Sequence, residues 1–376
     1  MFERDTVSLP ILRREGRKRC TRTFCGGCAI ATGPTVIDVA AKWNIALIAV
    51  AIAFFAAIAH AQDLRVLPVR GNIYVIVGGG GNIVASVGKD GILLVDTGSA
   101  TMSDKVVRTV QELARQVTAS PAPQRSCVGV VQGCLWWNSS GFLATTAAPA
   151  APKPIVGIIN TSFDADHAGG NAALARAGRS HIGVAPQEAW IISHESAPPR
   201  QGFPSEALPT ETYSGPYKKL NYFNGEGVVV WHPPAAHTAG DSMVQFRESE
   251  VLAAGDILNM SDYPVIDVDK GGSIQGTIDA LNSILDMAVV EHMMEGGTMI
   301  IPGHGRIADS ADVAYYRDLV TIIRDRVREM MKRGMTLPQI QAARLTRDYD
   351  PRFDRNPAWT SSMFIEAIYR SLNPKP

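Results

Sequence analysis

The chain has 376 residues, nearly half of them apolar and about a fifth charged, with 36 Lys/Arg balanced by 36 Asp/Glu. This is ordinary globular composition, enough for a sizeable buried core in one large domain or two ordinary ones. Charge is unevenly placed, with eight basic against four acidic residues in 1–61 and 28 against 32 in the remainder. A mildly acidic body without a basic stripe argues against nucleic-acid binding.

The N-terminal asymmetry has a direct explanation. Residues 45–59, IALIAVAIAFFAAIA, form an unbroken apolar run of fifteen, preceded by Lys42 and followed by AHAQ with small residues at Ala59 and Ala61. A charged flank, a short apolar stretch and an A-x-A-like site are the parts of a secretory signal, here cut after Ala61. An uncleaved membrane anchor is the alternative, but the run falls short of the roughly 20 residues that span a bilayer. The expected location is therefore exported, periplasmic or secreted, with membrane contact only through this segment. Residues 1–35 are long and polar for a signal and fit a start site placed too far upstream.

Cys20, Cys25 and Cys28 lie in this segment with C-x4-C-x2-C spacing, half of a metal knuckle without its second half. Cys127 and Cys134 remain for the mature chain. An even pair in an exported protein is expected to form a disulfide, the alternative being two small apolar residues kept reduced.

From residue 62 the pattern becomes regular. LRVLPVRGNIYVIVG, GNIVASVG and GILLVDTG read as a meander of short strands with Gly-rich turns. A helix is predicted at about 103–117, with Val106, Val107, Val110 and Leu113 on one face. Residues 118–153 break the rhythm with Ala, Ser, Pro and Gly around the cysteine pair and Trp136–Trp137, and are expected to form an inserted loop. PIVGIIN then reads as a buried strand, followed by a helix from about Gly169–Gly170, a strand at HIGVAP and a short helix at PQEAWIIS. Residues 196–226 are Pro- and Gly-rich loop. Strands are predicted at 227–232, 243–247 and 250–254, helices at about 273–291, 311–332, 337–345 and 359–372, and a strand at GTMIIPG. In the second of these helices the stripe of Tyr316, Leu319, Val320, Ile323 and Val327 reads as core. Two successive rounds of strands and helices point to an α+β or layered α/β domain over 62–376, with no linker dividing it.

The four glycines at 78–81 lack the Gly-Lys-Ser/Thr ending of a phosphate loop and read as a turn between strands. More telling is where the metal-capable side chains fall. Asp96 ends LLVDTG, while Asp164, Asp166 and His167 follow VGIIN. His237 sits in PPAAHTAGD, Asp256 ends VLAAGD and His304 lies between glycines in IIPGHG. Each is at the edge of a β run, where a loop can point it into a shared cleft. Imidazole and carboxylate groups suit Zn²⁺ or another first-row metal. His181, His194, His232 and His292 lack such settings and read as structural.

Taken together, VDTG, NTSFDADHAGGN, HTAGD, AAGDIL and IPGHG, in that order over residues 92–305, resemble the metallo-β-lactamase-fold hydrolases. The resemblance implies a four-layer αβ/βα sandwich with a metal cleft at one edge of two sheets. In the family the central motif usually reads His-x-His-x-Asp-His and feeds two adjacent metals. Carried over by position, Asp166, His167 and His304 match the ligands of the second metal and Asp256 the bridge. His237 matches the later histidine of the first metal. Ser162 and Asp164 replace that metal's paired histidines, and Asp96 would be a supporting residue.

Exchanging imidazoles for a hydroxyl and a carboxylate moves the first site from a tight zinc preference towards harder ions such as Mn²⁺. The expected occupancy is one metal in the second site; two metals with a weak first site, or none, are the alternatives. Zn²⁺ is the first expectation, with Mn²⁺ or Fe²⁺ as others. One metal suffices to polarise a carbonyl and activate water, with Asp166 or Asp164 orienting that water and taking its proton. The expected activity is hydrolysis of an amide, lactam, lactone or ester bond in a small-molecule substrate. The competing reading is a binding protein that keeps the fold without the chemistry. A sulfur-oxidising iron centre is disfavoured, because in the resembled family it uses the paired histidines replaced here. Phe203, Tyr213 and Tyr217, and Trp136–Trp137 in the insertion, read equally as pocket walls or as packing under loops.

Overall fold

The computed structural model describes residues 64–119, 154–179, 187–197, 202–290 and 296–373. The signal-like segment, all five cysteines, Trp136–Trp137, the predicted strand at HIGVAP, His181 and His292 lie outside the described residues.

Twelve described strands make two sheets. The first holds β1 (Arg65–Arg70), β2 (Ile73–Val77), β3 (Ile83–Gly88), β4 (Gly91–Val95), β5 (Ile155–Ile159), β6 (Trp190–His194) and β7 (Glu211–Tyr213), in chain order across the sheet. β1 to β4 are antiparallel neighbours, and β4 to β7 run parallel. The second sheet holds β8 (Tyr217–Lys219), β9 (Val228–Trp231), β10 (Met243–Phe246), β11 (Val251–Asn259) and β12 (Met299–His304), in the order β12-β11-β10-β9-β8. Here only β11 and β12 are parallel.

The helices are α1 (Ser103–Ala119), the one-turn α2 (Ala165–Ala168), α3 (Asn171–Ala177), α4 (Ile274–Met287), α5 (Ser310–Lys332), α6 (Leu337–Ala342), α7 (Asp350–Phe353) and α8 (Ser361–Leu372). None of the described helices is long and apolar enough to cross a membrane.

Strand alternation sorts the side chains into layers. In β3 and β4, Ala85, Val87, Ile92 and Leu94 pack under Val106, Val110 and Leu113 of α1 and Leu174 of α3. Their neighbours Val84, Leu93 and Val95 point the other way, onto Val228, Val230, Val244, Phe246 and Ala253 of the second sheet. The period of two thus lets one strand serve two cores. On the far side of the second sheet, Leu252 and Ala254 meet Ile278 and Leu281 of α4, the Tyr316–Val327 stripe of α5 and Phe364 of α8. Helix, sheet, sheet and helix therefore stack as a four-layer αβ/βα sandwich. Because these strands are covered on both faces, they read as near-continuous apolar runs. Leu94, fully buried in such a layer, would cost about 2–5 kcal/mol on truncation to Ala.

The structure corrects the local reading in three places. PQEAWIIS is not a helix: Trp190–His194 forms β6, a parallel neighbour of β5 and β7, because pairing between two strands overrides a short ambiguous apolar run. Residues 196–226 are not all loop, since they carry β7 and β8. These strands have three residues each, too few to show a period. Asp256 does not end its strand; β11 runs on to Asn259 through register shifts after Ala253 and Gly255. Those bulges turn Asp256 towards the cleft.

Candidate metal centre

Four segments at one rim of the sandwich, two connections and two strands, bring the acidic and histidine side chains together. Asp166, His167 and His304 offer ligand atoms within 4.8 Å of one another, and so do Asp164, His237 and Asp256. The loop after β5 supplies Asp164, then α2 supplies Asp166 and His167. The β9–β10 loop supplies His237, the bulged middle of β11 supplies Asp256, and the last residue of β12 is His304.

His167 is the most constrained of them. It is fully buried, its Nδ1 lies 2.8 Å from Asp96 Oδ2 and its Nε2 3.1 Å from Asp256 Oδ1. Asp96 is fixed in turn: Thr161 donates to it through its N–H at 2.8 Å and its hydroxyl at 2.6 Å. It holds a left-handed backbone with φ 64°, uncommon outside glycine, which is over-determined here by β4 and those contacts. The Thr97 N–H and hydroxyl both donate to the His167 carbonyl, at 2.7 and 3.0 Å. The same hydroxyl lies 2.9 Å from Asn171 Oδ1, and Asn171 and Asn160 bond to each other beneath the loop.

With Nδ1–H given to Asp96, the Nε2 lone pair of His167 faces the carboxylate of Asp256. Two electron-rich groups at that distance need a cation or a proton between them. His237 repeats the geometry: Nδ1–H donates to Val265 O at 2.9 Å, and Nε2 faces Asp164 Oδ2 at 3.2 Å and Asp256 Oδ2 at 3.9 Å. His304 Nε2 lies 3.2 Å from Asp166 Oδ2 and 3.4 Å from Asp256 Oδ1.

The electrostatics express the same demand. Burial alone would lower the pKa of His167, yet the Asp256 and Asp96 carboxylates outweigh it and hold the ring well above its ordinary value. His237 is also pulled down by burial, but its bond to Asp164 and the charges of Asp241 and Asp256 push it up to about 10. For His304, burial is again overcome, by Asp166 and Asp256. Partial burial would raise Asp256, but His167, His237 and His304 drive it far below the usual carboxylate range. The hydrogen bond from His304 lowers Asp166. A convergent set of imidazole nitrogens and carboxylate oxygens held this way fits a divalent transition metal.

The two substituted positions behave differently from each other. Ser162 is buried, and its hydroxyl lies 3.4 Å from the Asp164 N–H. Asp164 faces His237 and also Lys270, whose Nζ lies 3.5 Å from Asp164 Oδ1.

Lys270 did not stand out in the sequence, and neither did the approach of the glycine turn. The Gly81 N–H donates to the Asp166 carbonyl at 3.0 Å, and a Cβ at Gly81 would meet the His167 ring at 2.7 Å. Four glycines in a row exceed what a strand turn needs, and that excess was the available signal. Asn82 ties the same turn to β12 by donating to Gly303 O, Pro302 O and Gly305 O. Gly303 has its own reason, because a Cβ there would meet Asp256 Oδ1 at 2.3 Å.

Beside Asp166 a groove of about 580 Å³ is walled by Ala100, Thr101, Ala165, Phe203 and Pro204. Phe203 packs edge-on against Phe163 with ring centroids 5.8 Å apart. Tyr213 is buried and bonds Ser242 at 2.8 Å, and Tyr217 packs on Trp231. Of the three aromatic residues singled out in this region, Phe203 alone lines the groove. The structural histidines also separate from the centre: His194 and His232 stack on each other with centroids 3.4 Å apart.

Comparison with known proteins agrees with this architecture. Residues 66–304 match the family model of the metallo-beta-lactamase superfamily. Among solved structures, the stereoselective inverting sec-alkylsulfatase Pisa1 from Pseudomonas sp. is 15% identical, with 83% of this chain and 52% of that chain covered and a TM-score of 0.51. This chain thus spans about half the length of the alkylsulfatase. A metallo-beta-lactamase from Pontibacter korlensis is 14% identical, covering 69% of this chain and 99% of that one with a TM-score of 0.45. DIM-1 metallo-beta-lactamase is 15% identical over 69% of this chain and 97% of its own, with a TM-score of 0.43. No curated protein sequence matches the chain. The family match covers well over half of the residues, and the chain belongs to the metallo-beta-lactamase superfamily, a superfamily of metal-dependent hydrolases.

Proposed function

We propose that this chain is an exported metal-dependent hydrolase that cleaves an amide, lactam, lactone or ester bond of a small molecule. The observation that carries the reading is the convergence of Asp166, His167, His304 and Asp256, with His167 backed by the buried Asp96. These four residues would hold the ion, zinc being the first choice for their donor set. When bound, the ion supplies Lewis acidity towards a carbonyl oxygen and towards water.

The chain's own groups do the rest. Asp96 holds His167 in the tautomer that presents Nε2 inwards, and Val265 does the same for His237. Asp164 Oδ2 lies at the cleft within 3.2 Å of His237 Nε2, where its carboxylate can accept the proton of the attacking water. Asp166 is partly exposed towards the groove, where it can orient that water while bonded to His304. Phe203 and Pro204 form the apolar wall against which a substrate's non-reacting part is placed. Export is supported by the apolar run 45–59 and the small residues Ala59 and Ala61.

The test is a substrate panel on the purified mature protein, with β-lactam, lactone, phosphodiester, thioester and secondary alkyl sulfate compounds assayed with Zn²⁺ and Mn²⁺ separately. The expected result is hydrolysis of one class that is lost with a chelator and regained with metal. A protein without bound transition metal whose activity ignores chelation would sink the reading. Mass spectrometry of the exported protein should find Gln62 at its N-terminus.

A further inference from the structure

The Asp164–His237–Asp256 half of the centre contains a group that the proposed hydrolysis does not use. Lys270 Nζ lies 3.5 Å from Asp164 Oδ1 and is ion-paired with Asp267. Its placement is built into the fold. Asp267 caps the short turn Val268–Lys270, accepting from the Lys270 N–H at 3.1 Å. The Asp267 N–H donates to His237 O, and the Ala239 N–H donates to Lys270 O, each at 2.9 Å. Just upstream, Val265 O accepts from His237 Nδ1–H. The segment 265–270 therefore both aims the His237 imidazole and presents the lysine beside it.

The other half lacks such a neighbour among the described residues. Among the described residues, Asp166 and Asp256 form ion pairs with histidines only, with no Lys or Arg. A lysine head group is a compact point charge on a flexible stem. Next to Asp164 it supplies positive charge that the carboxylates of this half would otherwise draw from a divalent ion, and it repels an ion brought to the same place. The sequence change fits that arrangement. An imidazole at position 164 would be neutral as a ligand, whereas Asp164 is the anion that engages the ammonium.

We propose that Lys270 is a resident cation of this half of the centre, filling with its own charge the part of a second metal ion. The centre then works with a single ion on Asp166, His167, His304 and Asp256. The proposal rests on the reading of the centre as metal-binding. Lys270 acts as a positioning residue, holding Asp164 and keeping a second ion out.

The experiment is native mass spectrometry of the mature protein through a Zn²⁺ titration, for wild type, Lys270→Met, Lys270→Gln and Lys270→Arg. The two neutral variants guard against one of them misfolding, checked by circular dichroism and thermal melting. Wild type and Lys270→Arg should each take one ion tightly. The neutral variants should bind a second ion roughly tenfold or more tighter than wild type does. A wild type that binds two ions with equal affinity overturns the proposal. So do folded neutral variants whose second-ion affinity matches that of wild type, and in both cases the metal-centre reading stands. A wild type that takes no ion overturns that reading and the proposal with it.

Discussion

The two halves of the centre share Asp256 and draw on the same residue types, yet differ in what stands behind and beside each ligand. Behind His167 is a buried carboxylate, Asp96, pinned by two bonds from Thr161. Behind His237 is a neutral carbonyl, Val265 O. Beside Asp166 stands His304, while beside Asp164 stands an ammonium. A carboxylate behind an imidazole raises its basicity and fixes its orientation more firmly than a carbonyl does. The partners of the candidate ligands thus differ between the halves as much as the ligands do, and on the proposed reading the Asp166 half is the stronger one.

Removing Asp96 from behind His167 attacks that asymmetry most directly after the ligands themselves. Asp96→Asn keeps the shape and the left-handed backbone, which asparagine tolerates, but exchanges the anion for an amide. Zinc affinity should fall by about 10–100-fold, measured by competition with a chromophoric chelator, with circular dichroism unchanged. An affinity equal to wild type would mean that the rear carboxylate does not distinguish the halves.

A smaller effect is expected from Gly81→Ala. The added Cβ would meet the His167 ring at 2.7 Å, and the turn or the ring must give way. Stability should drop by about 1–3 kcal/mol, read from denaturant unfolding of the metal-free protein, with zinc binding weakened less than in Asp96→Asn. The smallest change is Phe203→Ala, which leaves both halves of the centre intact and removes the groove wall. KM for the substrate class identified in the panel should rise about fivefold, the value of about 1 kcal/mol of aromatic contact, with metal content unchanged. Altered metal content in this variant would place Phe203 within the support of the centre.

Much of this was legible in the sequence, and what was hidden has physical reasons. The long strands show themselves as near-continuous apolar runs, and α1, α4, α5 and α8 by apolar faces with a clear helical period. β6 was hidden because its identity depends on β5 and β7 lying alongside, and β7 and β8 because three residues carry no pattern. The candidate ligands were visible as metal-capable residues close to apolar β runs, although Asp256 proved to lie within its strand. Lys270 was not, since a lysine in a Gly-rich turn is indistinguishable from any solvated one until the chain folds. Its neighbour Asp164 is 106 positions earlier in the sequence, and it is the β9–β10 loop carrying His237 that joins the two. The approach of Gly81 to His167 is equally a product of tertiary structure.

The central claim is that one ion is held by the Asp166 half. It is tested most directly by comparing metal content in His167→Ala and His237→Ala, each purified in excess Zn²⁺ and desalted before elemental analysis. The account predicts that His167→Ala retains essentially no zinc, while His237→Ala retains one ion per chain as wild type does. Equal loss of metal in both variants, or retention in His167→Ala alone, would contradict it.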